Sequence, residues 1–467
     1  MSIVSRRTYV LPPAWAADER VLLAAIAALA IVVRFVAIDS NLSNDDGYSY
    51  LIGSAPSVDA FLKQLAASEN TPPLFYLLLT PLPIDHPTWL RMPAAIPGIL
   101  EVIALYFALR RPLGARVALV AALGVAVAPL LVTYANLARG FMLEDLALVV
   151  ALLAILRLAA ESARAAWWWV YFVAGVVAVY TEYDAAICLV AMAATALWLG
   201  KPDRRRLALV GLLSLLTIVP WIPEIVRTQN QVNVTKIAPA FPAPSVHSLR
   251  DLAVTLALGE NGGTNSAAGR WLEFACILAL GGAVAIVLRR DWAARSAGAR
   301  HAIILIAGTG TLTLIGHAIA PVVGLEVFDQ RYLTILIPFA AALGAAALVA
   351  AGWRWLIIAV AVVLAAAGLV NTAKRYHHEW EPSLASVRAA ALALHPKTVL
   401  TNNPVVIYYL RRLRPVLDRP FNLGPGLAES CARPCLIIDD SRVFGGPVRQ
   451  VSGTRTTIVP FVLTLEP

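Results

Sequence analysis

The sequence predicts an α-helical polytopic membrane protein of about eleven spans, followed by a small α/β domain. Three observations carry this. Of the 467 residues, 59% are hydrophobic and 14% charged, and mean hydropathy is +0.72, more apolar than the core of a soluble protein can absorb. Apolar runs of spanning length recur along the chain, separated by short polar segments. The net charge of +9 is scattered in small Lys and Arg clusters between those runs, which reads as membrane topology and not as one basic face for nucleic acid.

The first run, "RVLLAAIAALAIVVRFVAI", is long enough to span and lacks a small-residue cleavage site behind a short core, so it reads as a transmembrane helix and not a signal peptide. With a spanning length of ~20 residues, the chain gives helices near 21–38, 88–109, 117–134, 141–156, 166–181 and 184–199, then near 207–223, 271–288, 301–320, 332–352 and 356–371. The stretch "PPLFYLLLTPLP", 72–83, is short and Pro-rich and is expected to be juxtamembrane or re-entrant. Twelve or thirteen spans remain open alternatives.

Eleven spans require the connecting segments to alternate between the two faces. Segments 1–20, 110–116, 157–165, 200–206, 289–300 and 353–355 hold 17 Lys and Arg in 58 residues, whereas 39–87, 135–140, 181–184, 224–270 and 321–331 hold 7 in 117. The bias puts the amino terminus in the cytoplasm and the loop 39–87 outside. Residues 1–371 then form the membrane domain and 372–467 an extracytoplasmic one. An Ala- and Arg-rich chain with short loops suits a cell inner (plasma) membrane.

In the tail, "VRAAALALHPKTVLTNNPVVIYYLRRLRP" alternates an amphipathic helix, a β-rich run and a second helix, and "CLIIDD" has the composition of a buried strand. Cys188 and Cys276 fall within spans as small apolar residues, and Cys431 and Cys435 lie in the external tail, where a disulfide is permitted. His377 and His378 stand at the exit of the last span without nearby partners and read as interfacial residues.

The polar residues that need explaining are those at outer helix ends: Arg34, Asp45, Asp46, Arg91, Arg139, Glu182, Asp184 and Arg331. "SNLSNDDGYSYL" sets two adjacent carboxylates and Tyr48 and Tyr50 just after the first span. The bland reading is a solvated loop with interfacial tyrosines. In "YANLARGFMLEDL" Arg139 is a lone guanidinium in a short outer turn. It is either a snorkelling anchor paired with Glu144 or Asp145, or, because positive charge there opposes the topology bias, a functional group. Arg331 in "FDQRYLTILIPF" repeats the case. Arginines beside carboxylates suit a substrate that is both anionic and lipidic.

Six segments, in order, resemble the GT-C glycosyltransferases related to protein O-mannosyltransferases and to the aminoarabinose transferase of lipid A. They are "RFVAIDSNLSNDDGYSYLIG", "NTPPLFYLLL", "WLRMPAAIPG", "VTYANLARGFML", "VPWIPEIVRTQ" and "QRYLTILIPF". Three positions depart from the family pattern: Asp46 stands where Glu is usual, Leu137 where many relatives carry Glu, and Glu182 where His is frequent.

The resemblance implies a GT-C-like membrane fold and transfer of a sugar from a polyprenyl phosphate to a lipid, glycan or protein hydroxyl outside the membrane. On that reading Asp45 is the candidate base, implying inversion at C1, and Asp46 orients the acceptor or shares a divalent cation; the two roles could be exchanged. Arg139, Arg331, Arg34 and Arg91 are the candidate ligands of the donor phosphate. Tyr48, Glu182 and Tyr332 would line the acceptor side. No cofactor and no nucleic-acid partner is implied. Two rival classes are a lipid or sugar-lipid transporter, to which the intramembrane Glu101 points, and an envelope scaffold. The concentration of polar residues at one face, and not at the midplane, argues against transport.

Overall fold

The computed structural model describes residues 13–69, 71–160, 164–223, 244–260, 263–264, 266–323, 325, 327–352 and 354–376. Beyond these it describes 386–387, 389, 393–394, 398–401, 404–410, 435–440, 454–458 and 461–466. Each of the eleven predicted segments falls on helix. Helix α1 (Pro13–Phe35) leads into the first loop, which folds as three short helices, α2 (Asn44–Gly53), α3 (Val58–Ser68) and α4 (Leu74–Leu79). At six residues, α4 is about 9 Å long, far short of a membrane.

There follow α5 (Pro87–Leu113), α6 (Ala115–Val127), α7 (Pro129–Ala135), α8 (Phe141–Ala160), α9 (Ala165–Thr181), α10 (Ala185–Leu199) and α11 (Arg204–Leu216). The second half holds α12 (Val246–Leu258), α13 (Ala267–Arg290), α14 (Ala297–Ile319), α15 (Leu336–Ala351) and α16 (Arg354–Tyr376). A 3-10 turn, Gln330–Tyr332, precedes α15.

By length and composition α5, α13 and the stretch Ala297–Val322 are long and apolar enough to cross a membrane, and the bent pair α6–α7 makes a fourth candidate. Helices α9, α10, α15 and the stretch Trp355–Asn371 are apolar but shorter. In α13 only 6% of the apolar window is buried, so the helix turns apolar surface outward on nearly every side. The exposed Trp169, Trp198, Ile286 and Trp355 belong to the same outer belt.

The segment expected as one span over 117–134 is broken, with α6 and α7 meeting at 58°. Pro129 is the cause. It has no N–H to donate back to the Val125 carbonyl, so the end of α6 is left short of donors. Arg34, from the last turn of α1, supplies them: its guanidinium donates to Val125 O at 3.2 Å and Ala126 O at 2.9 Å and is wholly buried.

Helix α8 lies between α5 and α9 and packs extensively against both. The main core runs through these helices and α6, α10, α14 and α15. A second apolar cluster sits at the end of the bundle where α2 begins. It joins Tyr50, Ile52, Phe75, Tyr76 and Leu90 to Val405, Tyr408 and Leu436 from the tail.

The tail contains β1 (Thr398–Thr401), α17 (Pro404–Leu410), β2 (Cys435–Asp440), β3 (Thr454–Ile458) and β4 (Phe461–Glu466), with strand order β1-β2-β4-β3. β1 pairs parallel to β2, and β4 runs antiparallel to both β2 and β3. Helix α17 rests on α2: the Tyr50 and Tyr408 rings meet edge to face at 5.0 Å, Tyr408 donates to Asp85 O at 2.7 Å, and Leu42 N–H donates to Tyr409 Oη at 3.3 Å. His377, His378 and Cys431 lie outside the described residues. Cys188 is buried and Cys276 exposed, both within helices.

Candidate active site in the first loop

The local fold of "SNDD" decides which carboxylate faces the site. Ser43 is the N-cap of α2, and Asp46, three residues on, completes a capping box with it. The Asp46 carboxylate accepts from Ser43 N and Ser43 Oγ, both at 2.9 Å, from Ala138 N at 2.7 Å and from Arg91 at 2.8 Å. It is fully buried and saturated. Neighbours on a helix point about 100° apart, so Asp45 faces elsewhere: it stays one-third exposed and accepts from Arg139 at 2.8 Å.

This placement corrects four expectations. Asp46 is not positioned to touch an acceptor, because each of its oxygens is spent on the loop. Arg91 is not positioned to grip a phosphate: besides Asp46 it donates to Ile38 O at 2.9 Å, Ser40 O at 2.8 Å and Asn41 O at 2.8 Å, with no exposed surface. Arg34 is committed to the broken end of α6. A cation shared between Asp45 and Asp46 does not fit either, since the two carboxylates diverge and Asp46 already faces N–H and guanidinium donors. Among the described residues no three His, Cys, Asp or Glu side chains converge as metal ligands.

Arg139 is the centre of what remains. It bridges two carboxylates, Asp45 at 2.8 Å and Glu69 at 2.6 Å, and donates to Tyr76 Oη at 2.7 Å. The pairing expected with Glu144 or Asp145 is therefore replaced by one across the loop. Gly140 permits this turn: a Cβ there would lie 2.6 Å from Thr181 Cγ2 and 3.0 Å from Glu182 Oε1. Glu69 and Tyr76 were not singled out in the sequence; the available signal was their position flanking "NTPP", the segment that leads to α4.

Arg331 stands beside the pair, about a third exposed, with its Nε held by Asp329 at 3.1 Å. Tyr332 packs edge to face on Phe141 at 6.0 Å. Glu182, the C-cap of α9, is buried close to Arg139. Nearby Asp184 meets His317 Nε2 at 3.2 Å.

The environments push these acids apart. Burial alone would raise Asp45, but the Arg139 and Arg331 charges and the Arg139 hydrogen bond outweigh it and hold its carboxyl below the ordinary range. Burial dominates at Glu69 and raises it despite Arg139. Burial, reinforced by the Asp184 charge, lifts Glu182 well above the carboxylate range. Burial, followed by the charge of Glu69, pushes the Tyr48 hydroxyl up to about 12. The site thus offers one carboxylate that its arginine neighbours hold low, two whose pKa burial raises, and two guanidinium groups.

Residues 70–223 match the family model described as dolichyl-phosphate-mannose-protein mannosyltransferase. That segment contains Arg139, Tyr76 and Glu182 but neither Asp45 nor Arg331. Across 96% of this chain and 98% of the other, the fold superposes on ArnT from Cupriavidus metallidurans in the apo state, with a TM-score of 0.61 and 18% identity. Bound to undecaprenyl phosphate, the same protein matches with a TM-score of 0.58 and 17% identity over equal coverage. The oligosaccharyltransferase AglB from Archaeoglobus fulgidus, in complex with an inhibitory peptide and a dolichol-phosphate, matches at TM-score 0.54 and 14% identity, over 92% of this chain and 70% of that one. No curated protein sequence gives a significant match. Over the matched segment the chain resembles that mannosyltransferase family, and the fold around it is similar to those of ArnT and AglB.

Proposed function

We propose that the chain transfers a sugar from a polyprenyl-phosphate donor to an acceptor hydroxyl on the extracytoplasmic face of a plasma membrane. In this reading it spans eleven times, its amino terminus is cytoplasmic and residues 372–467 cover the outer side. The observation that carries it is the arrangement around Asp45: a charged, partly exposed carboxylate at a helix N-terminus, set between Arg139 and Arg331.

The reaction assigns one task to each group. Asp45 accepts the proton of the acceptor hydroxyl as its oxygen bonds to C1. The C1–O bond to phosphate breaks with its electron pair going to the leaving phosphate, and the attack from the opposite face inverts C1. Arg331, the more exposed of the two guanidinium groups, and Arg139 neutralise the phosphate as it gains charge. Glu69 holds Arg139 from the far side, and Tyr48, Glu182 and Tyr332 wall the acceptor side.

A place for the lipid tail supports the reading. An apolar cavity of about 430 Å³ lies between α6, α12, α13, α15 and α16, and its lining includes Leu336 and Ile337, five and six residues beyond Arg331. A phosphate held at Arg331 would therefore sit close to an apolar channel for its polyprenyl chain.

The test is incubation of purified protein with a panel of polyprenyl-phosphate sugars, following release of free polyprenyl phosphate. Release that depends on Asp45 supports transfer. Flipping of donor across vesicles with no release would favour the transporter reading, for which the buried Glu101 in α5 is the specific observation.

A further inference from the structure

At the opposite end of the bundle lies a second pocket that the transfer reaction does not use. Helix α5 starts beside Asp46 and runs 27 residues, about 40 Å, before its last turn reaches this pocket. Here the C-terminal ends of α5, α8 and α10 meet the N-terminus of α14 around a cavity of about 360 Å³. Four of its lining residues are basic, Arg111, Arg157, Lys201 and His301, and no Asp or Glu is among the lining residues described. Its remaining walls are mostly small and apolar.

Two features separate this pocket from an ordinary cationic membrane edge. Arg157 is about nine-tenths buried. Its Nη2 donates to Phe107 O at 3.0 Å and its guanidinium lies 5.9 Å from the Trp167 ring, yet Nη1 is buried with no protein partner. His301 Nε2 is likewise buried without one. A snorkelling anchor sends its charge to water and leaves no such N–H behind. Furthermore, α14 presents its first turn to the same space. Ser296 caps only the Ala299 N–H, Ala297 and Gly298 line the cavity, and a Cβ on Gly298 would meet nothing within 4 Å. A long helix directs unpaired N–H groups and a partial positive charge at whatever lies there.

We propose that this pocket is a binding site for a phosphoryl anion on the cytoplasmic side, separate from the catalytic loop. The anion would complete the coordination of Arg157 Nη1, accept from the first turn of α14, neutralise Lys201 and meet His301 Nε2. Both an anionic lipid headgroup and a free phosphate ester carry this chemistry. Basic pockets between helices at that face take lipid phosphates, and the apolar walls could receive the start of an acyl chain.

The test measures thermal unfolding of the detergent-purified protein in three settings: with inorganic phosphate against sodium chloride of equal ionic strength, in phosphatidylcholine nanodiscs, and in nanodiscs containing phosphatidylglycerol. Wild type should be stabilised by phosphatidylglycerol or by phosphate. A response to the lipid alone assigns the site to a headgroup, and one to phosphate in solution assigns it to a free ester. The double variant Lys201→Gln, His301→Gln alters two side chains that line the pocket and should bind about tenfold more weakly or worse. Arg157→Gln should remove the response, and the double variant keeps the test decisive if that protein does not fold. Equal behaviour in all lipids with no effect of phosphate, or an undiminished response in the double variant, overturns the proposal.

Discussion

Replacing Asp46 by Asn should cost stability, not chemistry, and the geometry sets the size of the effect. The carboxylate accepts on Oδ2 from Ser43 N, Ser43 Oγ and Arg91, and on Oδ1 from Ala138 N. An amide has a single accepting oxygen. In either orientation its NH2 must face donors, Ser43 and Arg91 on one side or Ala138 on the other. The change also strips the counter-charge from Arg91, which has no exposed surface. Breaking a buried pair from one side costs about 3–5 kcal/mol. The assay is thermal unfolding in detergent, with limited proteolysis of the loop 39–87 as a local readout and turnover expressed per folded molecule. Asp46→Asn should unfold earlier and be cleaved faster, while the folded fraction retains much of its turnover. A variant that unfolds like wild type and resists protease, yet is inactive, would refute the reasoning and return Asp46 to the chemistry.

Asp45→Asn should instead abolish release of polyprenyl phosphate while leaving donor binding and loop protection largely intact; near-normal turnover removes Asp45 as the base. Because the native carboxyl is held below its unfolded value of ~3.9, its pairing with Arg139 contributes stability at neutral pH. That contribution is lost as the pH falls through the depressed native value. The fall in unfolding temperature on acidification should therefore be smaller in Asp45→Asn than in wild type. Arg139→Lys and Arg331→Lys should lower activity markedly by losing two-pronged bonding, and Ala at either position should weaken donor binding roughly 10- to 150-fold. If all four bind donor normally, these residues are not phosphate ligands. For topology, single cysteines in an otherwise cysteine-free chain at the exposed Val58 and Val246 should react with an impermeant thiol reagent in intact cells, and one at Arg205 should not. The reverse pattern would dismantle the shared outer face.

The helices were legible because an apolar run of spanning length has few other fates, and every predicted span falls on helix. The break within the third predicted span was also written in the chain, at Pro129, but its repair by Arg34 was not: it depends on which carbonyls come near the end of α1. Likewise Asp45 and Asp46 look equivalent as letters. Only the capping box, with the N–H of Ala138 arriving from another loop, turns one inward. Arg139 stood out because its short turn carries so little else that is polar. Glu69 did not, lying in a long loop where one carboxylate is unexceptional. What sequence conveys poorly here is direction, the choice of partner among several acids at similar distance along the chain.

The clasp between α17 and the first loop has a consequence in time. Leu42 N–H waits for Tyr409 Oη, 367 positions later, and at 5–20 residues per second the ribosome needs roughly 20 to 70 s to deliver that tyrosine. Throughout that interval the loop bearing Asp45 lacks the surface it finally leans on. A nascent chain therefore carries its chemistry early but completes the surface around it last. Truncations that spare every residue around Asp45 but stop before Pro404 should leave that loop open to protease.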